Sequence, residues 1–226
     1  MTMSAPTIVF DLDGTLVDTA PDLIETLNVI LARRQVPAVA FDDARAMIGA
    51  GVKPLLMRGL ASHGIHRPPT EIDRLFAEYL ELYAARIADR SRPFPGLEAA
   101  LDALAADGCI LAVCTNKLEW LSVRLLDALG LSHRFAAICG QDTFPMRKPD
   151  PQMLRLTIAK AGGAGRAVMV GDSITDVLTA KNAAVPVVAV DFGYTETPPN
   201  QLGADRLIGH FDALPAAVRS LTHRVT

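Results

Sequence analysis

The chain has 226 residues, half of them hydrophobic, with 22 lysines and arginines against 25 aspartates and glutamates. A formal charge of −3 supplies no cationic field for a nucleic-acid backbone or an anionic membrane surface, so neither is expected as a partner. Cys109, Cys114 and Cys139 sit in apolar runs without CxxC pairing and read as reduced core residues.

The first apolar run, Thr7 to Phe10, is broken at once by Asp11 and Asp13. It forms no secretory segment, and no run nears the roughly 20 apolar residues of a membrane helix. A cytoplasmic protein is expected. Further Val- and Ile-rich runs at 110–114, 136–139, 167–170 and 187–190 have the composition of parallel strands buried on both faces. Between them, 118–129, 151–161 and 175–184 repeat apolar residues at helical spacing. That alternation predicts an α/β fold, a doubly wound parallel sheet of Rossmann-like type.

The alternation has one long interruption. From about 18 to about 90 only helical periodicity is present (Leu23, Leu27, Ile30, Leu31; Leu55, Leu56, Leu60; Leu75, Tyr79, Leu82, Tyr83), broken at Pro37, Gly49, Gly51 and Pro68-Pro69. An all-helical domain over 18–92 is therefore expected to be inserted into a core made of 1–17 and 93–226. Residues 16–19 would form the outgoing hinge and Arg92-Pro93-Phe94-Pro95-Gly96 the return linker.

Ligands of an open parallel sheet bind beyond the carboxyl ends of its strands. There the sequence places Asp11-Leu12-Asp13-Gly14-Thr15 after the first run, Thr115-Asn116-Lys117 after the second, and Gly171-Asp172-Ser173 with Asp176 after the fourth. Carboxylates about 4 Å apart repel by roughly 4 kcal/mol per pair at an effective dielectric near 20, so such a group calls for a cation. Hard oxygen ligands without histidine or cysteine point to Mg2+, which also takes phosphate oxygens. Lys148, between the third run and the next helix, would offset phosphoryl charge, and Thr115 adds a hydroxyl donor. Asp11 and Asp13, two apart in an extended segment, can face one pocket as nucleophile and proton carrier, and Gly14 lets the chain turn.

In order and spacing, Asp11-Leu12-Asp13-Gly14-Thr15, the strand ending at Thr115-Asn116, Lys148-Pro149 and Gly171-Asp172-Ser173 with Asp176 resemble the four motifs of the haloacid dehalogenase-like phosphatases. The resemblance spans essentially the whole chain. It implies Asp11 as nucleophile and Asp13 as general acid and base, and Thr115, Asn116 and Lys148 as phosphate-binding groups. It further implies Mg2+ held by Asp11, the Asp13 carbonyl and Asp172. Gly14, Thr15, Gly171, Ser173 and Asp176 would be supporting residues, and the helical insert a specificity cap. Ile48-Gly49-Ala50-Gly51-Val52, followed by Leu55, Leu56, Gly59 and Leu60, and Gly193-Tyr194 after the last expected core strand, resemble bacterial phosphoglycolate phosphatases. This implies a small phosphate ester, 2-phosphoglycolate, as substrate. Gly49 and Gly51 become candidate substrate-loop residues, and Arg45 and Lys53 candidate cap contacts for a substrate carboxylate.

Other readings share part of this pattern. A phosphosugar phosphatase or a phosphosugar mutase would keep every core motif and differ in the cap. A dehalogenase would need no Mg2+, and a non-catalytic phosphate-binding module would not need both Asp11 and Asp13. Monomer and homodimer are equally compatible with the sequence.

Overall fold

A computed structural model of the chain describes residues 5–222. The elements run β1 (Thr7–Phe10), β2 (Val17–Asp18), α1 (Ala20–Ala32), α2 (Phe41–Ala46), α3 (Val52–Ala61), α4 (Pro69–Ala85), β3 (Arg92–Pro93), α5 (Leu97–Ala106) and β4 (Ile110–Cys114). They continue α6 (Glu119–Ala128), β5 (Ala137–Cys139), α7 (Pro151–Lys160), β6 (Ala167–Gly171), α8 (Ile174–Asn182), β7 (Val187–Val190), β8 (Arg206–Ile208) and α9 (Leu214–Thr222).

Six strands form one parallel sheet in the order β5-β4-β1-β6-β7-β8. Counted along the chain within that sheet, the order is 3-2-1-4-5-6, the dinucleotide-fold arrangement whose switch point lies beside the first strand. Thr7 pairs with Ile110 on one side and Ala167 on the other, so the loops after β1, β4 and β6 leave the sheet side by side. Alternate residues bury on opposite faces, as the two-residue strand period requires. Ile8, Phe10, Val113, Val170 and Val190 join one core cluster, while Val9, Ala112, Cys114, Met169 and Ala189 join the other. Helices α5, α6 and α9 cover the first face through Leu101, Leu104, Leu125 and Val218. Helices α7 and α8 cover the second through Met153, Leu154, Val177 and Ala180.

The insert α1–α4 closes around Tyr79 and Tyr83, both fully buried, with ring centroids 6.0 Å apart. Tyr79 donates its hydroxyl proton to the Leu23 carbonyl at 2.8 Å, which locks α4 to α1. Asp22 ties the start of α1 to the returning chain by accepting from the Ser91 N–H at 2.7 Å and the Ser91 hydroxyl at 2.6 Å. Among the described residues no helix is long and apolar enough to cross a membrane.

The segments read as outgoing hinge and return linker lie side by side, where β2 and β3 pair antiparallel with Val17 opposite Pro93 and Asp18 opposite Arg92. A two-strand ribbon tolerates proline since it has no inner strand to be deprived of a donor. The 187–190 strand is not the last of the core, as β8 follows it on the sheet edge. Gly171 ends β6 rather than opening the loop after it.

Candidate active site

Asp11 leaves β1 with its N–H donated to the Val170 carbonyl at 2.9 Å, which seats it between the ends of β1 and β6. The chain then turns at Gly14, whose φ is +82°. A Cβ there would lie 2.5 Å from Asp172 Oδ2 and 2.8 Å from Tyr194 Cδ2, so conformation and space both demand glycine. Thr15, carried round by this turn, donates its hydroxyl to Asp172 Oδ1 at 3.0 Å. Asp172 Oδ2 accepts the Tyr194 N–H at 2.7 Å, so both its oxygens are oriented. Gly193 allows that approach, because a Cβ on it would fall 2.2 Å from the Asp172 Cβ.

Asp176 stands one helical turn further on, at the start of α8. Its Oδ2 accepts from the Ser173 N–H at 3.1 Å and the Ser173 hydroxyl at 2.7 Å, a capping box that fixes the carboxylate. Its Oδ1 accepts from Lys148 Nζ at 2.7 Å. Lys148 Nζ also lies 2.8 Å from Asp11 Oδ1, yet that buried oxygen has no hydrogen bond of good geometry.

Asp11, Asp172 and Asp176 therefore form a buried group whose ligand oxygens lie within 4.8 Å of one another. Three carboxylates against one ammonium leave two negative charges uncompensated when all are ionised. Burial pushes Asp11 up from the ordinary 3.8 to about 6, with Lys148 pulling the other way and Asp176 adding to the rise. Asp172 is pushed up to about 8 by burial and by the charges of Asp176 and Asp11. Burial works against the charged form of Lys148, but Asp11 and Asp176 outweigh it and raise its proton affinity. The Cys114 thiol nearby is pushed up to about 12 by burial and is no nucleophile at neutral pH.

Asp13 belongs to a second set of contacts. Its Oδ1 accepts from the Thr19 hydroxyl at 2.8 Å and from Lys117 Nζ at 2.9 Å, and Oδ2 lies 3.2 Å from the same ammonium. Lys117 is 6% exposed and its Nζ sits 4.6 Å from the centre of the Tyr83 ring. Thr115 N–H donates to the Cys139 carbonyl and its oxygen accepts the Lys117 N–H, which leaves its hydroxyl proton free for a ligand. Asn116 donates Nδ2 to the Lys148 carbonyl at 3.2 Å, holding the lysine loop, while its Oδ1 is buried without a partner.

These groups open on a narrow cavity of about 30 Å³, room for about two waters. Asp11, Asp13, Thr115, Asn116 and Lys117 line it from the core, and Leu23, Ile48, Gly49, Gly51, Val52, Leu55 and Phe76 from the insert. Gly51, at φ +98°, brings the insert close enough that a Cβ would lie 3.4 Å from the Asn116 carbonyl.

Arg45 and Lys53, expected as cap contacts for a substrate, do not line this cavity. Arg45 donates to the carbonyls of Phe192 and Gly193 at 2.9 and 3.2 Å and lies over the Tyr194 ring, where it bridges insert and core. Lys53 pairs with Asp73 at 2.6 Å on the surface. Conversely, sequence reasoning assigned no role to Lys117, although its place beside Thr115-Asn116 at a strand end put it at the ligand-binding edge.

Comparison with known proteins extends this picture. Residues 8–190 match the family model described as haloacid dehalogenase-like hydrolase. A phosphoglycolate phosphatase of Caulobacter vibrioides is 49% identical over 220 residues, covering 97% of this chain and 93% of the relative. One of Mesorhizobium japonicum is 50% identical over 213 residues, covering 94% of each. The crystal structure of a predicted phosphoglycolate phosphatase from Haemophilus somnus superposes with a TM-score of 0.87 at 28% identity, over 96% of this chain and 100% of that one.

Proposed function

The chain belongs to the haloacid dehalogenase-like hydrolases, and on that footing we propose that it is a Mg2+-dependent phosphomonoesterase that hydrolyses 2-phosphoglycolate to glycolate and inorganic phosphate. One observation carries the chemistry: Asp11, a buried carboxylate, stands 2.8 Å from the Lys148 ammonium and beside two further buried carboxylates. The substrate follows from the relatives, which bear the name phosphoglycolate phosphatase over nearly the whole length.

The residues fit a divalent cation. The donors are all hard oxygens, two charges are uncompensated, and Asp11 Oδ1, though beside the Lys148 ammonium, accepts no well-aligned hydrogen bond. Asp11, Asp172 and the Asp13 backbone carbonyl would hold Mg2+, with Asp176 supporting through Lys148. Once bound, the ion neutralises this charge and polarises the phosphoryl oxygens.

An Asp11 carboxylate oxygen attacks phosphorus, the P–O bond to the ester breaks, and Asp13 gives its proton to the departing alkoxide. Water then attacks the aspartyl-phosphate and delivers a proton to Asp13. Phosphate leaves, and the Asp11 carboxylate is restored. Lys148 and the Thr115 hydroxyl offset phosphoryl charge in both steps. The apolar wall from α1, α3 and α4 keeps bulk water out, and the helical insert must move to admit a substrate, because so small a cavity holds none. Three unpaired thiols, two of them buried, suit the reducing cytoplasm in which we place the protein.

A phosphosugar substrate is disfavoured by that wall, which offers few partners for a polyol. Phosphate release from 2-phosphoglycolate and from several phosphosugars, with Mg2+ and with excess chelator, tests the assignment. Mg2+-dependent preference for 2-phosphoglycolate is expected. Preference for a phosphosugar, or release that survives chelation, would refute it.

A further inference from the structure

Among the described residues that line the cavity, Lys117 alone carries a positive charge. Its ammonium is nearly out of solvent, with the side chain 3% exposed, and a buried ammonium costs several kcal/mol unless it is compensated. Compensation comes from Asp13, at 2.9 and 3.2 Å, and from the face of Tyr83 in α4, 4.6 Å from Nζ. Asp13 does not depend on this lysine for its orientation, since the Thr19 hydroxyl also holds Oδ1 at 2.8 Å. The pair thus has one member that is independently anchored and one whose partner is exchangeable.

The position of the cation matters as much as its burial. In the proposed mechanism Asp13 protonates the ester oxygen, so the carbon chain beyond that oxygen enters the cavity that Lys117 lines together with Leu55 and Phe76. Among the described residues no other cationic side chain lines the cavity; Arg45 is held by the Phe192 and Gly193 carbonyls, and Lys53, 5.0 Å from the centre of the Phe76 ring, pairs with Asp73 at the surface.

We propose that Lys117 is the binding site for a carboxylate on the leaving group, and so the residue that selects phosphorylated small hydroxy acids over phosphate esters of uncharged alcohols. This rests on the phosphomonoesterase reading and adds to it a specificity residue supplied by the core rather than by the insert. A substrate carboxylate one methylene from the ester oxygen takes over the Lys117 ammonium. In the exchange an Asp13 oxygen is freed toward the ester oxygen, while Thr19 keeps the Asp13 carboxyl in place. An ester whose leaving group is uncharged makes no such exchange and leaves Lys117 on Asp13.

The test compares 2-phosphoglycolate with 2-hydroxyethyl phosphate, an ester of the same length whose leaving group carries no charge, in the wild type and in Lys117→Met. The wild type should prefer 2-phosphoglycolate. Lys117→Met should lose roughly 10- to 150-fold in kcat/KM for it, mainly through KM, the worth of a hydrogen bond to a charged group. The loss on 2-hydroxyethyl phosphate should be at least tenfold smaller. Equal losses on both esters would overturn the proposal and reduce Lys117 to a holder of Asp13. Absence of any wild-type preference for the carboxylate ester would instead refute the substrate reading itself. The unaltered protein decides the matter if the variant does not fold: glycolate should compete with 2-phosphoglycolate at concentrations where glycolamide does not, and equal inhibition by the two would overturn the proposal.

Discussion

Charges at the carboxyl edge of the sheet and charges on the helical insert are arranged in opposite ways. Asp11, Asp172, Asp176 and Lys148 are each no more than 6% exposed; all four carboxylate oxygens of Asp172 and Asp176 accept hydrogen bonds, and Lys148 stands between Asp11 and Asp176. On the insert, Arg33 with Glu78 and Lys53 with Asp73, and Arg58 with Glu196 of the core, are ion pairs whose members stand 27–64% exposed in the side chain. Charges of the first kind are few, costly and held in place, which is what electrostatic catalysis needs. Those of the second kind are screened and nearly free to change. The insert contributes shape, through Leu23, Ile48, Leu55 and Phe76, and leaves polar recognition to the core.

The sharpest way to break this contrast is Asp11→Asn, expected to lower turnover by a factor on the order of 10⁴ or more without unfolding the protein. Circular dichroism should match the wild type, because a neutral amide relieves repulsion in a cluster already rich in negative charge. Next comes Lys148→Met. With the only ammonium of the cluster gone, three carboxylates are left buried together, and urea denaturation should register a loss of about 3–5 kcal/mol. A loss under about 1 kcal/mol would mean that the cluster is better hydrated than its burial indicates.

A third test uses pH. Asp11 and Asp172 bind protons more tightly in the folded chain, at about 6 and about 8 against the ordinary 3.8. Across that window the folded state holds more protons than the unfolded one, so stability is highest at the acid end and falls as pH rises. Without a divalent cation, Tm should decline from pH 5 to pH 8, and Mg2+ should raise Tm more at pH 8 than at pH 5. An Mg2+ shift independent of pH would contradict the charge arrangement. Gly193→Ala should have a smaller effect, of about 1–3 kcal/mol, since its Cβ would meet that of Asp172 at 2.2 Å. The Mg2+-induced rise in Tm should shrink with it. Least of all, Lys53→Ala should change stability by less than about 1 kcal/mol, measured by the same melts.

How much was legible in the sequence follows the same division. Strands 7–10, 110–114 and 187–190 were read with their observed limits, because strands buried on both faces are unbroken Val and Ile runs. Strand β8 escaped notice, being three residues on an edge with Arg206 and Leu207 exposed. Helix α2 did too, since it buries only Ala44. Asp11, Asp172 and Asp176, which the structure groups, are legible in sequence because they stand at or just beyond strand ends, whereas the separate contacts of Asp13 are not. Lys117 and Arg45 were not legible, because their surroundings are assembled from distant segments. Lys117 acquires its meaning from Asp13 and Tyr83. Arg45 is claimed by carbonyls almost 150 residues away, with separations of 147 and 148. Periodicity carries no information about such contacts.

The central claim, a covalent route through Asp11, is tested most directly by acid quench of the enzyme during Mg2+-dependent turnover of 2-phosphoglycolate, followed by mass spectrometry of its peptides. A single phosphoryl group should appear on the peptide containing Asp11, and should vanish in Asp11→Asn. Full turnover by Asp11→Asn, or a phosphoryl group on any other residue, would contradict the account.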